Sequence, residues 1–91
     1  MKTFKLKAPR IVNEWDVPYQ FIIYGNDYTA FQSYDTLIAI KQDGKMYLNA
    51  SMWDYSKTTG KYRNRFLGLN KKETEVEIKA GTIILVNMEL S

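Results

Sequence analysis

The chain has 91 residues, of which 45% are hydrophobic, 14% aromatic and 25% charged, and its formal net charge is +3. This length supports one hydrophobic core, so we expect a single domain over residues 1–91. Cysteine and histidine are both absent, which excludes disulfides, Cys/His zinc sites and catalytic relays built on those two residues. No stretch approaches the ~18 apolar residues of a membrane span, and the start lacks a signal-peptide pattern, so we expect a cytosolic protein.

The N-terminal segment predicts one strand followed by a connection. Residues 3–7 alternate apolar and basic side chains, which is typical of an edge strand protected by its lysines. Residues 10–17 lie between Pro9 and Pro18 and have an irregular pattern. We therefore interpret them as a connecting segment in which Trp15 folds back onto the core.

The middle of the chain predicts a meander of four antiparallel strands. The first two are joined by a three-residue loop at 25–27, and the last two by Asp43-Gly44, a pair suited to the positive φ angles of a tight hairpin turn. The first of these strands is rich in aromatic and β-branched residues. The four predicted strands are residues 19–24, 28–33, 36–42 and 45–49.

A helix of two to three turns is predicted within residues 54–68. Asp54 or Ser56 can cap its first turn, and Gly68 offers a left-handed stop. The helix is indicated by apolar residues at helical spacing, which are Tyr62, Phe66 and Leu69.

A second short helix is predicted over residues 71–79. Asn70 and Glu73 have the spacing of a capping pair, and Gly81 stands where a helix would end. Residues 74–80 also alternate in the manner of a strand. We favour the helix because Glu75 and Lys79 form a favourable i,i+4 pair and Gly81 follows the run as a terminator.

Residues 82–90 close the chain with a nearly continuous hydrophobic run, which predicts a buried central strand. Together these elements predict an α+β fold. We expect a mostly antiparallel sheet of five to six strands with one or two short helices on one face.

The segment 57–72 contains six basic residues and no acidic one. On a helix, Lys61 and Arg65 share a face, whereas Arg63 projects roughly 200° from Lys61. This charge is either an ordinary solvated helix surface or an anion-binding surface, since uncompensated cations repel one another. The candidate partner-binding or nucleic-acid-binding residues are Lys57, Lys61, Tyr62, Arg63, Arg65, Lys71 and Lys72.

Other candidate sites are weaker. Thr58 to Lys61 superficially resembles a phosphate-binding loop, but Tyr55 and Tyr62 stand where that motif needs glycine and serine or threonine. The carboxylates lack a second activating group of a recognised type, so we expect no enzymatic activity, catalytic residue, metal or cofactor. Four tyrosines near the hairpins could anchor a partner or simply border the core: Tyr24, Tyr28, Tyr34 and Tyr47.

Residues 27–90 resemble a family of small proteins of unknown function found in phages and prophages of Gram-positive bacteria. The resemblance is carried by the run WDYSKTT at 53–59 and by FLG at 66–68. It implies a phage source and, by analogy with small phage proteins such as anti-CRISPR proteins, a role against bacterial defence.

Three functional hypotheses follow. The first is a phage accessory protein that inhibits a host defence protein or nucleoprotein complex in the host cytoplasm, using the basic residues and exposed aromatic side chains. The alternative is a nucleic-acid-binding module in phage regulation or replication, with Tyr55 or Tyr62 stacked on bases. A third is a small virion or assembly component, for which symmetric oligomers are expected.

Overall fold

The computed structural model describes residues 3–5 and 10–89. In chain order its strands are β1 (Thr3–Lys5), β2 (Arg10–Val12), β3 (Gln20–Tyr24), β4 (Tyr28–Ser33), β5 (Thr36–Gln42), β6 (Lys45–Asn49) and β7 (Ile83–Glu89). Helices α1 (Lys57–Leu67) and α2 (Lys71–Ala80) both lie between β6 and β7.

The strands form one sheet in the order β1-β7-β6-β5-β4-β3-β2. Strands β2 to β6 are antiparallel neighbours, whereas β7 pairs parallel with both β6 and β1. The predicted α+β class and mostly antiparallel sheet are confirmed. The predicted connecting segment is wrong for residues 10–12, because Arg10–Val12 pair with β3 and form an edge strand. Of the predicted first strand, residues 6 and 7 lie outside the described residues, as does the final predicted strand residue, Leu90.

Turn chemistry accounts for the predicted meander. Asp43 and Gly44 have φ angles of 52° and 73°, so the tight turn between β5 and β6 uses the left-handed conformations that the sequence predicts. The three-residue loop 25–27 joins β3 to β4. All four predicted strands of the meander are therefore confirmed.

Both helices begin and end at the capping residues that the sequence indicates. Ser56 accepts a hydrogen bond from the Thr59 amide of α1 at 3.1 Å, and Gly68 ends that helix with φ 74°. Asn70 and Glu73 form a reciprocal capping box at the start of α2. The helical interpretation of this segment is confirmed, and the strand alternative is excluded.

The two faces of the sheet carry separate apolar clusters. On one face Phe66 and Leu67 of α1 and Ile78 of α2 pack with Phe31 and Ile83, so both helices lie on the same face, as predicted. Trp15 joins this cluster, which confirms that it folds back onto the core. The second cluster consists of Ile23, Ala30, Leu37 and Ile40.

The sheet is strongly curled. Strands β1 and β2 lie at opposite edges, yet only four residues separate Lys5 from Arg10 in the chain, a span of at most ~18 Å. Six interstrand spacings in a flat sheet would need ~29 Å. Curling explains why Ile23 and Ala30, which no helix covers, are fully buried.

Candidate functional site

Three predicted site residues form a stripe along the exposed side of α1. Lys57, Lys61 and Arg65 are spaced four residues apart and are all exposed, so they follow one another along the helix surface. Within the described part of the chain, none of the three forms an ion pair. We call Lys57, Lys61 and Arg65 the basic stripe.

Arg63 does not belong to this exposed surface. It lies four residues after Thr59 and three before Phe66, both buried, and is itself only 1% exposed. Its Nη1 donates to the Trp53 carbonyl oxygen at 2.8 Å and to Asp54 Oδ1 at 3.1 Å. The expectation that Arg63 faces a partner is therefore wrong in the structure; its guanidinium instead holds the 53–54 loop against α1.

Asp54 links Arg63 to a second predicted site residue. Its Oδ2 lies 2.8 Å from Lys71 Nζ at the start of α2. The hydrogen bond from Lys71, with a further contribution from Arg63, lowers the pKa of Asp54, and the same contact raises the pKa of Lys71. Asp54 thus acts as the internal counter-ion of two of the six cations instead of capping α1. Lys72 is exposed in the first turn of α2, outside the basic stripe.

Tyr62 takes part in a cation and ring ladder on one side of α1, in which two stacked rings each contact one cation. Its ring stacks on Trp15 with centroids 5.7 Å apart and an interplanar angle of 23°. Lys61 Nζ lies 5.3 Å from the Tyr62 centroid, and the Arg65 guanidinium carbon lies 4.8 Å from the Trp15 centroid. The sequence predicts either a core contact or a binding role for Tyr62, and its half-buried ring is compatible with both. Trp15 was not among the predicted site residues, because its contact with α1 is long-range.

A groove of about 660 Å³ is bordered by Lys57 and Lys61 of the basic stripe. Ser56 caps the helix that borders it, and the first turn of α1 contains no acidic residue, so the positive end of the helix dipole is uncompensated there. The groove contains four basic residues and one carboxylate, and its lining consists of Asp54, Ser56, Lys57, Gly60, Lys61, Arg63, Asn64 and Lys71.

Tyr19 and Tyr34 form an exposed stacked pair, directly before the start of β3 and directly after the end of β4. Their centroids are 5.0 Å apart, their rings are inclined by 10°, and they are 59% and 42% exposed. Both have left-handed backbones, with φ 66° and 57°. That conformation costs a non-glycine residue ~1–2 kcal/mol, whereas one aromatic pair contributes ~0.5–1.5 kcal/mol. The strain of the two left-handed backbones therefore exceeds what the aromatic contact contributes to the stability of the fold. Tyr34 was predicted as an anchor and Tyr19 was not.

The other predicted tyrosine anchors are engaged with the chain itself. Tyr24 donates a hydrogen bond to Glu14, which raises the pKa of the Tyr24 hydroxyl. Burial raises the pKa of Tyr28, whose ring lies against Gly25. Tyr47 is half-buried and packs against the second apolar cluster.

A family model for proteins of unknown function, DUF8033, matches residues 4–82. The chain belongs to the DUF8033 family. No curated protein and no solved structure matches it. The matched residues of this DUF8033 protein include the basic stripe, the Asp54 contacts and both helices, and they end just before β7.

Two further properties bear on the site. Neither helix in the described residues is long and apolar enough to cross a membrane. In residues 3–5 and 10–89, no group of three or more acidic side chains is placed to hold a metal ion. The described site is thus a surface of cations and aromatic rings.

Proposed function

We propose that this DUF8033 protein is a binding protein rather than an enzyme, and that the basic stripe docks on an anionic surface of a partner. The observation that supports this most is the unequal use of acidic side chains around α1. Asp54 compensates Arg63 and Lys71, while Lys57, Lys61 and Arg65 have no carboxylate partner among the described residues. An anionic partner would relieve their repulsion.

The partner that we propose is a bacterial defence protein or nucleoprotein complex, met in the host cytoplasm. This follows the resemblance to phage and prophage proteins, and the protein would act there as an inhibitor. Exposed lysines would mainly accelerate approach to an acidic surface, and half-buried or stacked aromatic residues would supply most of the affinity.

Affinity capture from a bacterial lysate tests this role. The wild type is compared with the double variant Lys57→Gln/Lys61→Gln and with Lys45→Gln/Lys79→Gln, which removes two exposed lysines elsewhere. We expect one host complex to be recovered by the wild type and by the control, and much less by the stripe variant. The proposed role is wrong if the wild type recovers no protein and if host defence against phage, measured in a plaque assay, is unimpaired by the protein.

Nucleic acid is the second candidate partner, and the cation and ring ladder favours it. It combines two stacked rings, Tyr62 and Trp15, with the cations of Lys61 and Arg65, and such a combination is used to bind single strands. Direct binding predicts a log-log salt dependence whose slope falls by ~1 to 2 in Lys57→Gln/Lys61→Gln. If no gel shift occurs at ~50 mM salt, nucleic acid is not the ligand.

A further inference from the structure

Among the described residues, the exposed stack of Tyr19 and Tyr34 lacks a cation, whereas five cation–ring pairs are described elsewhere in the chain. In each of those five pairs, the charged atom or the guanidinium carbon lies between 4.7 and 5.3 Å from a ring centroid. Neither Tyr19 nor Tyr34 has such a contact within the described residues. The occupied pairs are Arg10 with Tyr24, Lys41 with Phe66, Lys61 with Tyr62, Arg63 with Trp53 and Arg65 with Trp15.

The backbone of the pair indicates that the rings serve something other than folding. Tyr19 and Tyr34 both occupy the left-handed region, where glycine or asparagine fits with less strain. The Tyr34 amide donates to the Tyr19 carbonyl oxygen at 2.6 Å, so that contact holds the two residues together without needing either ring. Strained residues of this kind concentrate at binding sites.

One exposed carboxylate follows the pair in sequence, next to a strand end that contacts the first turn of α1. Asp35 follows Tyr34 directly and is exposed, with Thr36 as its hydrogen-bond partner at 3.4 Å. Ser33 Oγ lies 2.9 Å from Thr59 Oγ1, which fixes the end of β4 against the first turn of α1. The tyrosine pair and the basic stripe thus belong to elements that are in direct contact, the end of β4 and α1.

We propose that the Tyr19–Tyr34 stack, with Asp35 beside it, is the docking point for an arginine side chain of a partner protein. A guanidinium is planar and weakly hydrated, stacks on aromatic faces and pairs with carboxylates. This site would bind a cation, whereas the basic stripe would bind an anion, so the inference goes beyond the proposed function. It also points to a protein partner, because nucleic acid carries no cationic side chain.

The test is an NMR titration with two neutral-ended tripeptides, acetyl-Gly-Arg-Gly-amide and its citrulline counterpart, which has the same shape without the charge. We expect saturable shifts at the amides of Tyr19, Tyr34 and Asp35 with the arginine peptide. The citrulline peptide should bind about two- to fivefold more weakly. Asp35→Asn should weaken only the arginine peptide.

A matched pair of variants separates binding from folding. Tyr34→Asn removes one ring at a position whose backbone suits asparagine, so we expect an equal or higher melting temperature and loss of the arginine preference. Tyr55→Asn removes a tyrosine that is 46% exposed and has no left-handed backbone, and should leave the titration unchanged.

Three results would overturn the proposal. Equal shifts from both peptides would indicate an apolar occupant, and shifts centred on Glu73, Glu75 and Glu77 would indicate non-specific charge pairing. Shifts of Tyr19 and Tyr34 that depend on protein concentration without peptide would indicate a second copy of the chain. None of these outcomes depends on Lys57 or Lys61, so the proposed function is tested separately.

Discussion

Replacing Asp54 by asparagine should destabilise the fold while strengthening the attraction of the α1 surface for anions. The carboxylate is one-third exposed and accepts from Arg63 Nη1 at 3.1 Å, while Arg63 itself is 1% exposed. Removing the partner of a buried charge costs ~3–5 kcal/mol when nothing replaces it. Here the Trp53 carbonyl and the Asn64 side chain still accept from the guanidinium, so we expect about 2 kcal/mol.

Thermal unfolding followed by circular dichroism measures this cost. For a domain of this size, a loss of about 2 kcal/mol corresponds to a melting temperature lower by roughly 8–16 °C. The control is Lys71→Ala, which removes the other ion pair of Asp54. Its amine is exposed and screened by solvent, so a much smaller change is expected. Equal changes in Asp54→Asn and Lys71→Ala would refute the argument that Arg63 is the group that needs the carboxylate.

The loss of stability in Asp54→Asn should depend on pH. The hydrogen bond from Lys71, with the further contribution from Arg63, lowers the pKa of Asp54 below its ordinary value of 3.8. The carboxylate therefore stabilises the fold fully above the unfolded pKa, and this stabilisation is lost as pH falls through the lower folded pKa. The difference in stability between wild type and Asp54→Asn should be constant near neutral pH and vanish in acid. A difference that grows on acidification would contradict the assignment.

Three predictions concern packing and are tested by chemical denaturation. Gly25→Ala should cost about 2 kcal/mol, because its Cβ would lie 1.8 Å from Tyr28 Cε2; a neutral result would contradict that contact. Gly60→Ala should instead stabilise by about 0.4–1 kcal/mol, since the added Cβ meets only ordinary contacts within a helix; destabilisation would show that the helix cannot accept it. Gln20→Met should raise the free energy of unfolding by about 1 kcal/mol, because Gln20 is 1% exposed and its side-chain amide nitrogen and oxygen have no hydrogen-bond partner in the described residues. A loss of stability would mean that the amide does have hydrogen-bond partners.

Local signals in the sequence were sufficient for much of the fold. The Asp43-Gly44 turn, the Ser56 cap and the Asn70–Glu73 capping box are each formed by residues close in sequence. Their physical consequences do not depend on the rest of the chain. For that reason the meander and both helices could be located before any tertiary contact was known.

Features that depend on distant residues could not be predicted in this way. Strand β2 exists because Arg10–Val12 pair with β3, and three residues give no periodic signal of their own. Parallel pairing of β7 with both neighbours depends on how α1 and α2 cross the sheet. The left-handed backbone of Tyr19 and Tyr34 also could not be predicted from the sequence, because tyrosine rarely adopts that conformation.

The candidate site was predicted in part. Spacing along a helix correctly predicted that Lys61 and Arg65 share one face and that Arg63 projects from a different one. It could not show that Arg63 is buried against Trp53 and paired with Asp54, because that contact depends on how the preceding loop folds over α1. Counting charges in a segment therefore overestimated the exposed positive surface.

Elution from immobilised heparin tests the central claim most directly, because it measures attraction to an anionic surface without knowledge of the partner. Lys57→Gln/Lys61→Gln and Lys45→Gln/Lys79→Gln each reduce the formal net charge from +3 to +1, so net charge alone cannot distinguish them. If the basic stripe is the anion-binding surface, the first variant elutes at clearly lower salt than the second. Elution of both variants at the same salt concentration would contradict the account.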